Sequence, residues 1–215
     1  MKSMMPVVVR YSWALKSPRR GLTLAELLLV VTIISILATL ILPAVGNFLG
    51  ESRADVTRVS LTRLRDVIAE TYWPDNRSTL PRPGLPLQGS RQNAPQLRYL
   101  FVNPQTEDTI VTFDPTARLG WRGPYMVDRN DSLYTINTAT GFTEQYGENG
   151  DPAVLDGWGR AIVLQNPGTL SDGRQDVRLV SAGPDGIVNI PPTKLTAALT
   201  TGDIGDDVFA SFEVR

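Results

Sequence analysis

The chain of 215 residues contains neither cysteine nor histidine, and this excludes most of the side-chain chemistry that proteins use. Thiol nucleophiles, Ser–His and Cys–His relays, and zinc bound by histidine or cysteine are impossible. Any metal must be held by oxygen ligands, which favours calcium or magnesium. Composition alone favours ordinary Asp-Gly turns over a metal site near the C-terminus. Four aspartates lie there among glycines: Asp185, Asp203, Asp206 and Asp207.

One acidic residue, Glu26, lies in the otherwise apolar segment 22–45, which follows Arg19-Arg20-Gly21. As a helix this segment is about 36 Å long, enough to cross a hydrocarbon core of about 30 Å. A carboxylate at mid-bilayer costs about 2.5–3.5 kcal/mol, so we expect Glu26 to have a partner. Pro43 predicts a kink or a locally opened turn in the same helix.

The charges of the chain are distributed unevenly. Residues 1–21 carry five basic residues and no acidic one, whereas the rest of the chain has a net charge of −6. This asymmetry follows the positive-inside rule and predicts that residues 1–21 are cytoplasmic and the body is exported. An acidic body also argues against nucleic acid as the main partner.

The N-terminal segment is open to three interpretations. It could be a secretory signal peptide cleaved near Ala44-Val45-Gly46, but its apolar run is longer than the usual 7–15 residues. It could be a plain membrane anchor, which leaves Glu26 and the position of Gly21 unexplained. The third interpretation is a leader that is removed after Gly21 to release an assembly helix.

The third interpretation comes from a resemblance. The run from Gly21 to Leu27 resembles the class III signal of the type IV pilin and type II secretion pseudopilin superfamily. The resemblance implies that prepilin peptidase cleaves after Gly21 and methylates the new N-terminus at Leu22. Glu26 and Pro43 stand where the superfamily commonly has Glu and Pro, whereas Leu22 and Ala25 are mild departures from its pattern.

The same resemblance implies an assembly role for Glu26. Cleavage creates a positive amino group on Leu22, which becomes buried when subunits pack side by side. The carboxylate of a neighbouring subunit can neutralise it, because a paired buried charge is tolerated and an unpaired one is costly. Glu26 would therefore set the register between subunits.

Helical periodicity continues beyond the apolar segment, and Pro74 predicts that the helix ends at about Trp73. The helix then has a transmembrane half at 22–45 and an amphipathic half at 46–73. We predict that the amphipathic half packs on a body at 74–215 that contains a small antiparallel sheet, an α+β arrangement. The resemblance implies the pilin fold.

The body begins with a loop at 74–96, which is rich in Pro, Gly and polar residues. A short strand or helix is predicted next, at Leu97–Val102. Residues of high strand propensity between turn signals predict the strands: Thr109–Phe113, Tyr134–Asn137, Ala161–Gln165 and Asp176–Ser181.

Four body motifs resemble segments of the major pseudopilins of type II secretion: Gly120–Met126 (Trp-x-Gly-Pro-Tyr), Asp156–Arg160 (Asp-x-Trp-Gly), Leu179–Gly186 (Ser-x-Gly-x-Asp-Gly) and the acidic turn Gly205–Val208. The stretches 127–155 and 187–201 are longer than that family leads us to expect. The family's C-terminal loop binds calcium where many pilins have a disulfide. The resemblance therefore implies calcium at Asp185, Asp203, Asp206 and Asp207, with Asp185 and Asp206 the preferred ligands.

We expect a structural subunit and not an enzyme: an inner-membrane protein, cytoplasmic at its N-terminus, that polymerises into a periplasmic pseudopilus. The implied partners are copies of itself, prepilin peptidase, the inner-membrane assembly platform and minor pseudopilins. The alternative is a type IV pilin of a surface fibre for adhesion, motility or DNA uptake. A membrane-anchored hydrolase with paired carboxylates is a remote third, because no such pair stands in a recognisable context.

Overall fold

The computed structural model describes residues 21, 23–76, 79–81, 94–103, 113–127 and 132–215; for residues 40–45 and 47 it describes the backbone alone. The leader 1–20, Leu22, most of the predicted loop 74–96 and most of the predicted strand Thr109–Phe113 lie outside the described residues. The chain separates into two compact units, one that ends at Val45 and one that runs from Gly46 to Arg215.

Helix α1 (Leu24–Asp66) begins in the first unit, where every described side chain from residue 23 to residue 39 is exposed. In the part of the chain that the structure describes, no helix is both long enough and apolar enough to span a membrane. The membrane-spanning role of residues 22–45 stays a prediction.

In the second unit the helical backbone continues through a π-helical turn (Val67–Tyr72) into α2 (Trp73–Asp75). The prediction that the helix ends at about Trp73 is therefore short by two residues. Pro74 is the second residue of α2, and the helix does not end before it. The indole N–H of Trp73 donates to the backbone carbonyl of Arg215 at 3.0 Å, which binds the end of the chain to the end of the helix.

The sheet is antiparallel, with the strand order β1-β2-β3. Strands β1 (Val163–Thr169) and β2 (Gln175–Ser181) confirm two predicted strands with slightly shifted bounds, whereas β3 (Val208–Val214) was not predicted. Short 3₁₀ turns lie at Leu97–Leu100, Thr138–Thr140 and Thr196–Ala198, and helix α3 is Thr201–Ile204.

The predicted strand Tyr134–Asn137 is wrong, because its backbone pairs with loops and not with another strand. The Tyr134 N–H donates to the Asp151 carbonyl at 2.8 Å, and the Ile136 N–H donates to the Asn149 side chain at 2.7 Å. Only isolated bridges are formed, at Leu133–Pro152 and Asn137–Phe142.

The helix packs on the sheet through one face, which confirms the α+β prediction and is consistent with a pilin fold. Leu61, Leu64, Ile68 and Tyr72 recur every three or four residues and are at most 1 % exposed. They share one core with sheet residues that are equally buried, namely Leu164, Val177 and Leu179. Burial of each such side chain contributes roughly 1.5–3 kcal/mol.

The Asp-Gly-Trp-Gly turn contacts the same helix more closely than a side chain would allow. The Gly157 N–H donates to the buried hydroxyl of Thr57 at 2.9 Å. A Cβ atom at position 157 would stand 2.1 Å from the Arg53 carbonyl oxygen, which is too close for any contact. Glycine is therefore required where the turn meets the helix backbone.

We expect Gly157→Ala to destabilise the protein by roughly 1–3 kcal/mol, because the helix and the turn must separate to accept the methyl group. Thermal unfolding of the purified protein measures the effect. Gly50→Ala is the matched control, since its added methyl meets nothing within 4 Å and alanine favours the helix interior. Equal melting temperatures for wild type and Gly157→Ala would contradict the close approach.

Candidate functional site

The N-terminus of helix α1 is capped by the side chains of Thr23 and Glu26. The Glu26 carboxylate accepts from the Thr23 N–H at 2.8 Å and from the Thr23 hydroxyl at 3.0 Å. The Glu26 N–H donates back to the Thr23 hydroxyl at 3.2 Å, which completes a capping box. Glu26 thus satisfies N-terminal donors of its own helix in the isolated chain, and it is exposed.

The other predicted residues of this segment are described only in part. Gly21 is exposed, and Leu22 lies outside the described residues. The backbone stays helical through Pro43, whose side chain is not described. The cleavage site and the assembly roles of Glu26 and Pro43 therefore remain predictions.

At the C-terminal end, Asp207 is the most buried of the four aspartates proposed as ligands, with 7 % of its surface exposed. One carboxylate oxygen, Oδ2, accepts from the N–H groups of Asn189 and Ile190 at 2.7 and 2.8 Å. The other oxygen, Oδ1, is buried without a hydrogen-bond partner. Burial raises the pKa of Asp207 to about 6, and the nearby charges of Asp206 and Asp185 add to the rise.

Asp206 and Asp185 lie next to this carboxylate. Asp206 Oδ2 accepts from the Asp185 N–H at 2.9 Å, and Asp185 Oδ1 accepts from the Ile187 N–H at 2.7 Å. The two loops touch at Gly183, where a Cβ atom would stand 2.2 Å from the Asp206 carbonyl oxygen. Gly183 also has a φ of +56°, a conformation that glycine adopts at little cost.

The Asp203 carboxylate accepts hydrogen bonds from residues outside this group. Its Oδ2 accepts from the Lys194 ammonium at 2.6 Å, and its carboxylate completes a capping box with Thr200 at the start of α3. These hydrogen bonds, the one from Lys194 first, hold the pKa of Asp203 well below its usual range. Within the described ranges, no group of three or more His, Cys, Asp or Glu residues is arranged to hold a metal ion.

Sequence reasoning missed the residues that order the long stretch 187–201. The Arg178 guanidinium is fully buried and donates to Gln165 Oε1 at 2.8 Å and to the carbonyls of Lys194 and Pro191 at 2.7 and 2.5 Å. On the same strand, Asp176 accepts from the Thr196 N–H and hydroxyl at 2.6 and 2.7 Å. The only signal of these residues in the sequence is that two charged side chains, Asp176 and Arg178, alternate with apolar ones in a strand.

The Trp-x-Gly-Pro-Tyr motif packs against the far end of the helix. The Tyr125 ring meets the Tyr72 ring edge to face, with centroids 5.1 Å apart. The Tyr125 hydroxyl accepts from Asn76 at 3.1 Å, and Arg122 forms an ion pair with Asp75 at 3.0 Å. Burial raises the pKa of Tyr125, so its hydroxyl stays protonated. The motif thus binds the end of the helix through a ring contact, a hydrogen bond and an ion pair.

The Asp156 carboxylate organises the other tryptophan motif. It accepts from the N–H groups of Trp158 and Arg160, both at 2.9 Å, and from the Ser181 hydroxyl at 2.6 Å. The Arg160 guanidinium then donates to the Gly183 carbonyl at 2.6 Å, beside the acidic loop. One chain of contacts thus connects this turn with β2 and the loop that carries Asp185.

Comparison with known proteins bears on the N-terminal segment. A model of the prokaryotic N-terminal methylation motif matches residues 16–42, which include Gly21, Leu22 and Glu26. The match supports a type IV pilin-like protein. It also supports processing by prepilin peptidase and polymerisation, and it fits pilin-like proteins anchored in the inner membrane. No curated protein and no solved structure matches the chain.

The raised pKa of Asp207 predicts how stability depends on pH without metal. A carboxyl whose pKa is about 6 in the folded state and about 3.8 in the unfolded state binds its proton more tightly when folded. The contribution of Asp207 to stability is therefore largest below pH 4 and falls by roughly 2–3 kcal/mol as the pH rises from about 4 to above 6. Asp207→Asn removes this pH dependence, because an amide does not titrate, and its side-chain oxygen still accepts from the two N–H groups.

Thermal unfolding between pH 4 and pH 8 in the presence of chelator measures the effect. The difference between wild type and Asp207→Asn isolates this carboxyl from all other titrating groups. We expect the variant to gain stability relative to wild type as the pH rises through 6. Two parallel curves would show that Asp207 titrates normally.

Proposed function

We propose that this chain is a prepilin-like structural subunit of a type II secretion pseudopilus. It is cleaved after Gly21, methylated at Leu22 and polymerised helix to helix into a periplasmic fibre. The methylation motif at residues 16–42 carries the proposal. The subunit is not an enzyme, and its partners are prepilin peptidase, the assembly platform, minor pseudopilins and its own copies.

The exposed apolar side chains at the start of α1 support polymerisation. Leu24, Leu28 and Ile36 are 81 %, 59 % and 63 % exposed, and their apolar neighbours are exposed as well. A continuous apolar surface of this kind is typical of a segment that lipid or another protein covers. Lipid covers it before assembly in this proposal, and neighbouring helices cover it afterwards.

A surface fibre for adhesion, motility or DNA uptake is the second candidate. One observation favours it. The stretch 187–201 is held in a defined conformation by Arg178 and Asp176, so it adds ordered surface to the body. Additional ordered surface suits a fibre that meets the outside of the cell.

We also propose that calcium binds at the acidic loop through Asp185, Asp206 and Asp207. The buried, unpartnered Oδ1 of Asp207 fits a cation, and so does the crowding of negative charge that raises its pKa. Calcium would supply the positive charge that this carboxylate lacks. Asp203 fits less well, because Lys194 already neutralises it.

Mass analysis of the mature protein tests processing. We expect a methylated N-terminus at Leu22, and we expect Gly21→Ala to accumulate as the uncleaved precursor. Gly46→Ala is the matched control, because it changes the junction of the signal-peptide interpretation and should be processed like wild type. An intact Met1, or a start at Gly46 or beyond, would refute the proposed function.

Calcium binding predicts a higher melting temperature at pH 7.5 with calcium than with chelator. At a concentration a hundredfold above the dissociation constant the gain is about 2.7 kcal/mol. Asp206→Asn and Asp207→Asn should lose the gain, whereas Asp172→Asn, on an exposed turn outside the acidic loop, should keep it. If calcium leaves the melting temperature of wild type unchanged, the aspartates only form turns and close the loop.

A further inference from the structure

Trp158, in the Asp-Gly-Trp-Gly turn, is a tryptophan that the packing of the body does not use. Its ring is partly exposed and, among the described residues, belongs to neither of the two buried apolar clusters. Trp73 and Trp121 differ, because both pack in one cluster and donate their indole N–H groups to backbone carbonyls at 3.0 and 3.2 Å. In the described part of the chain, the Trp158 indole forms no such hydrogen bond. The fold therefore leaves this ring at the surface with a free donor.

The turn lies at the end of the body nearest to Gly46, where the second unit begins. Every described residue of α1 from Gly46 to Arg53 is exposed, and Thr57 is the first buried one in this unit. Gly157 meets the helix at this level, through its hydrogen bond to Thr57 and its close approach to the Arg53 carbonyl. Arg53 follows Gly46 by about 10.5 Å along the helix. Trp158 is therefore held beside the first part of α1 that the body covers.

We propose that Trp158 docks on the bilayer surface before assembly, with its ring in the headgroup layer and its indole N–H bonded to lipid. This rests on the proposed function, in which residues 22–45 span the membrane and Gly46 leaves the hydrocarbon core. The polar layer on each side is about 5–7 Å deep, so the turn lies within about one side-chain length of it. Tryptophan is enriched at this level, because its ring is apolar and its N–H stays hydrogen-bonded.

The charges around the turn are mixed and do not select a lipid. Arg53 is exposed, and Arg160 donates to the Gly183 carbonyl at 2.6 Å. The carboxylates Asp185 and Asp206 lie at the same end, since Asp206 closely approaches Gly183. The contact is therefore assigned to the indole ring, and a neutral phosphatidylcholine bilayer is sufficient for it. A bilayer fits better than a protein, because one interfacial tryptophan acts alone, whereas a stable protein interface buries about 1,200–2,000 Å².

Fluorescence quenching by brominated lipid tests the contact on the full-length chain. The protein is reconstituted into phosphatidylcholine vesicles whose acyl chains carry bromine either near the headgroup or at mid-chain. The emission of wild type minus that of Trp158→Phe isolates Trp158 from the other tryptophans. Relative to vesicles without bromine, we expect bromine near the headgroup to remove about half of this difference emission, and mid-chain bromine to remove much less.

Trp121→Phe provides the matched control. Trp121 packs against the apolar core and donates to the Tyr99 carbonyl, so its difference emission should be equal in all vesicles. Trp158→Phe keeps an apolar ring at a partly exposed position, so we expect it to melt at the wild-type temperature.

Each other outcome overturns the proposal. Equal Trp158 emission in all vesicles, from protein that floats with them in a density gradient, would place the turn away from lipid and leave the proposed function intact. If acrylamide in the water also fails to quench that emission, a second copy or another protein covers the ring. Quenching of Trp158 and Trp121 alike would mean that the body is immersed in lipid or unfolded. A chain that does not float with the vesicles would contradict the membrane anchor of the proposed function, and this inference would fall with it.

Discussion

Burial of one helix face against a three-stranded sheet is the constraint on which the second unit depends. Leu64, Ile68 and Tyr72 are completely buried, and β2 supplies Val177 and Leu179 from the other side. Because β2 is the central strand, it is hydrogen-bonded on both edges and positions β1 and β3 relative to the helix. The tryptophan motifs then bind the helix at two further levels, at Thr57 and at Asn76.

Buried charged side chains add hydrogen bonds to the apolar packing of this small sheet. Arg178 lies on β2 and Asp207 directly before β3, and each uses its charge to hold backbone groups of the stretch 187–201. An arginine can satisfy several carbonyls at once, whereas a carboxylate can accept from successive N–H groups. Donors and acceptors of the same loop are thus satisfied by two buried charged side chains, without a disulfide.

The N-terminal pattern and the helix were accessible from the sequence, because they depend on local spacing. Gly21, Glu26 and the apolar run stand at fixed separations, and the repeat through Leu64 and Tyr72 has the helical period. Strands β1 and β2 followed from their apolar runs. Strand β3 was not predicted, although every second residue from Val208 to Val214 is apolar. It begins directly after the acidic turn Gly205–Val208, and that segment was interpreted as a turn.

Long-range pairing explains the remaining differences. The strand predicted at Tyr134 failed because its hydrogen-bond partners come from a loop, which spacing along the chain does not reveal. Asp203 looks like its neighbouring aspartates in the sequence, yet Lys194 neutralises it in the fold. Nothing in the sequence distinguishes Arg178 from an exposed arginine until the carbonyls of Pro191 and Lys194 are placed around it.

The bond between the Trp73 indole and the carbonyl of Arg215 has a mechanical consequence. It joins the end of the helix to the end of β3, which is hydrogen-bonded along its length to β2. Tension along the helix in this unit therefore reaches the sheet by two routes, through the apolar core and through the C-terminal residue. A load on this part of the helix is therefore shared with strand β3.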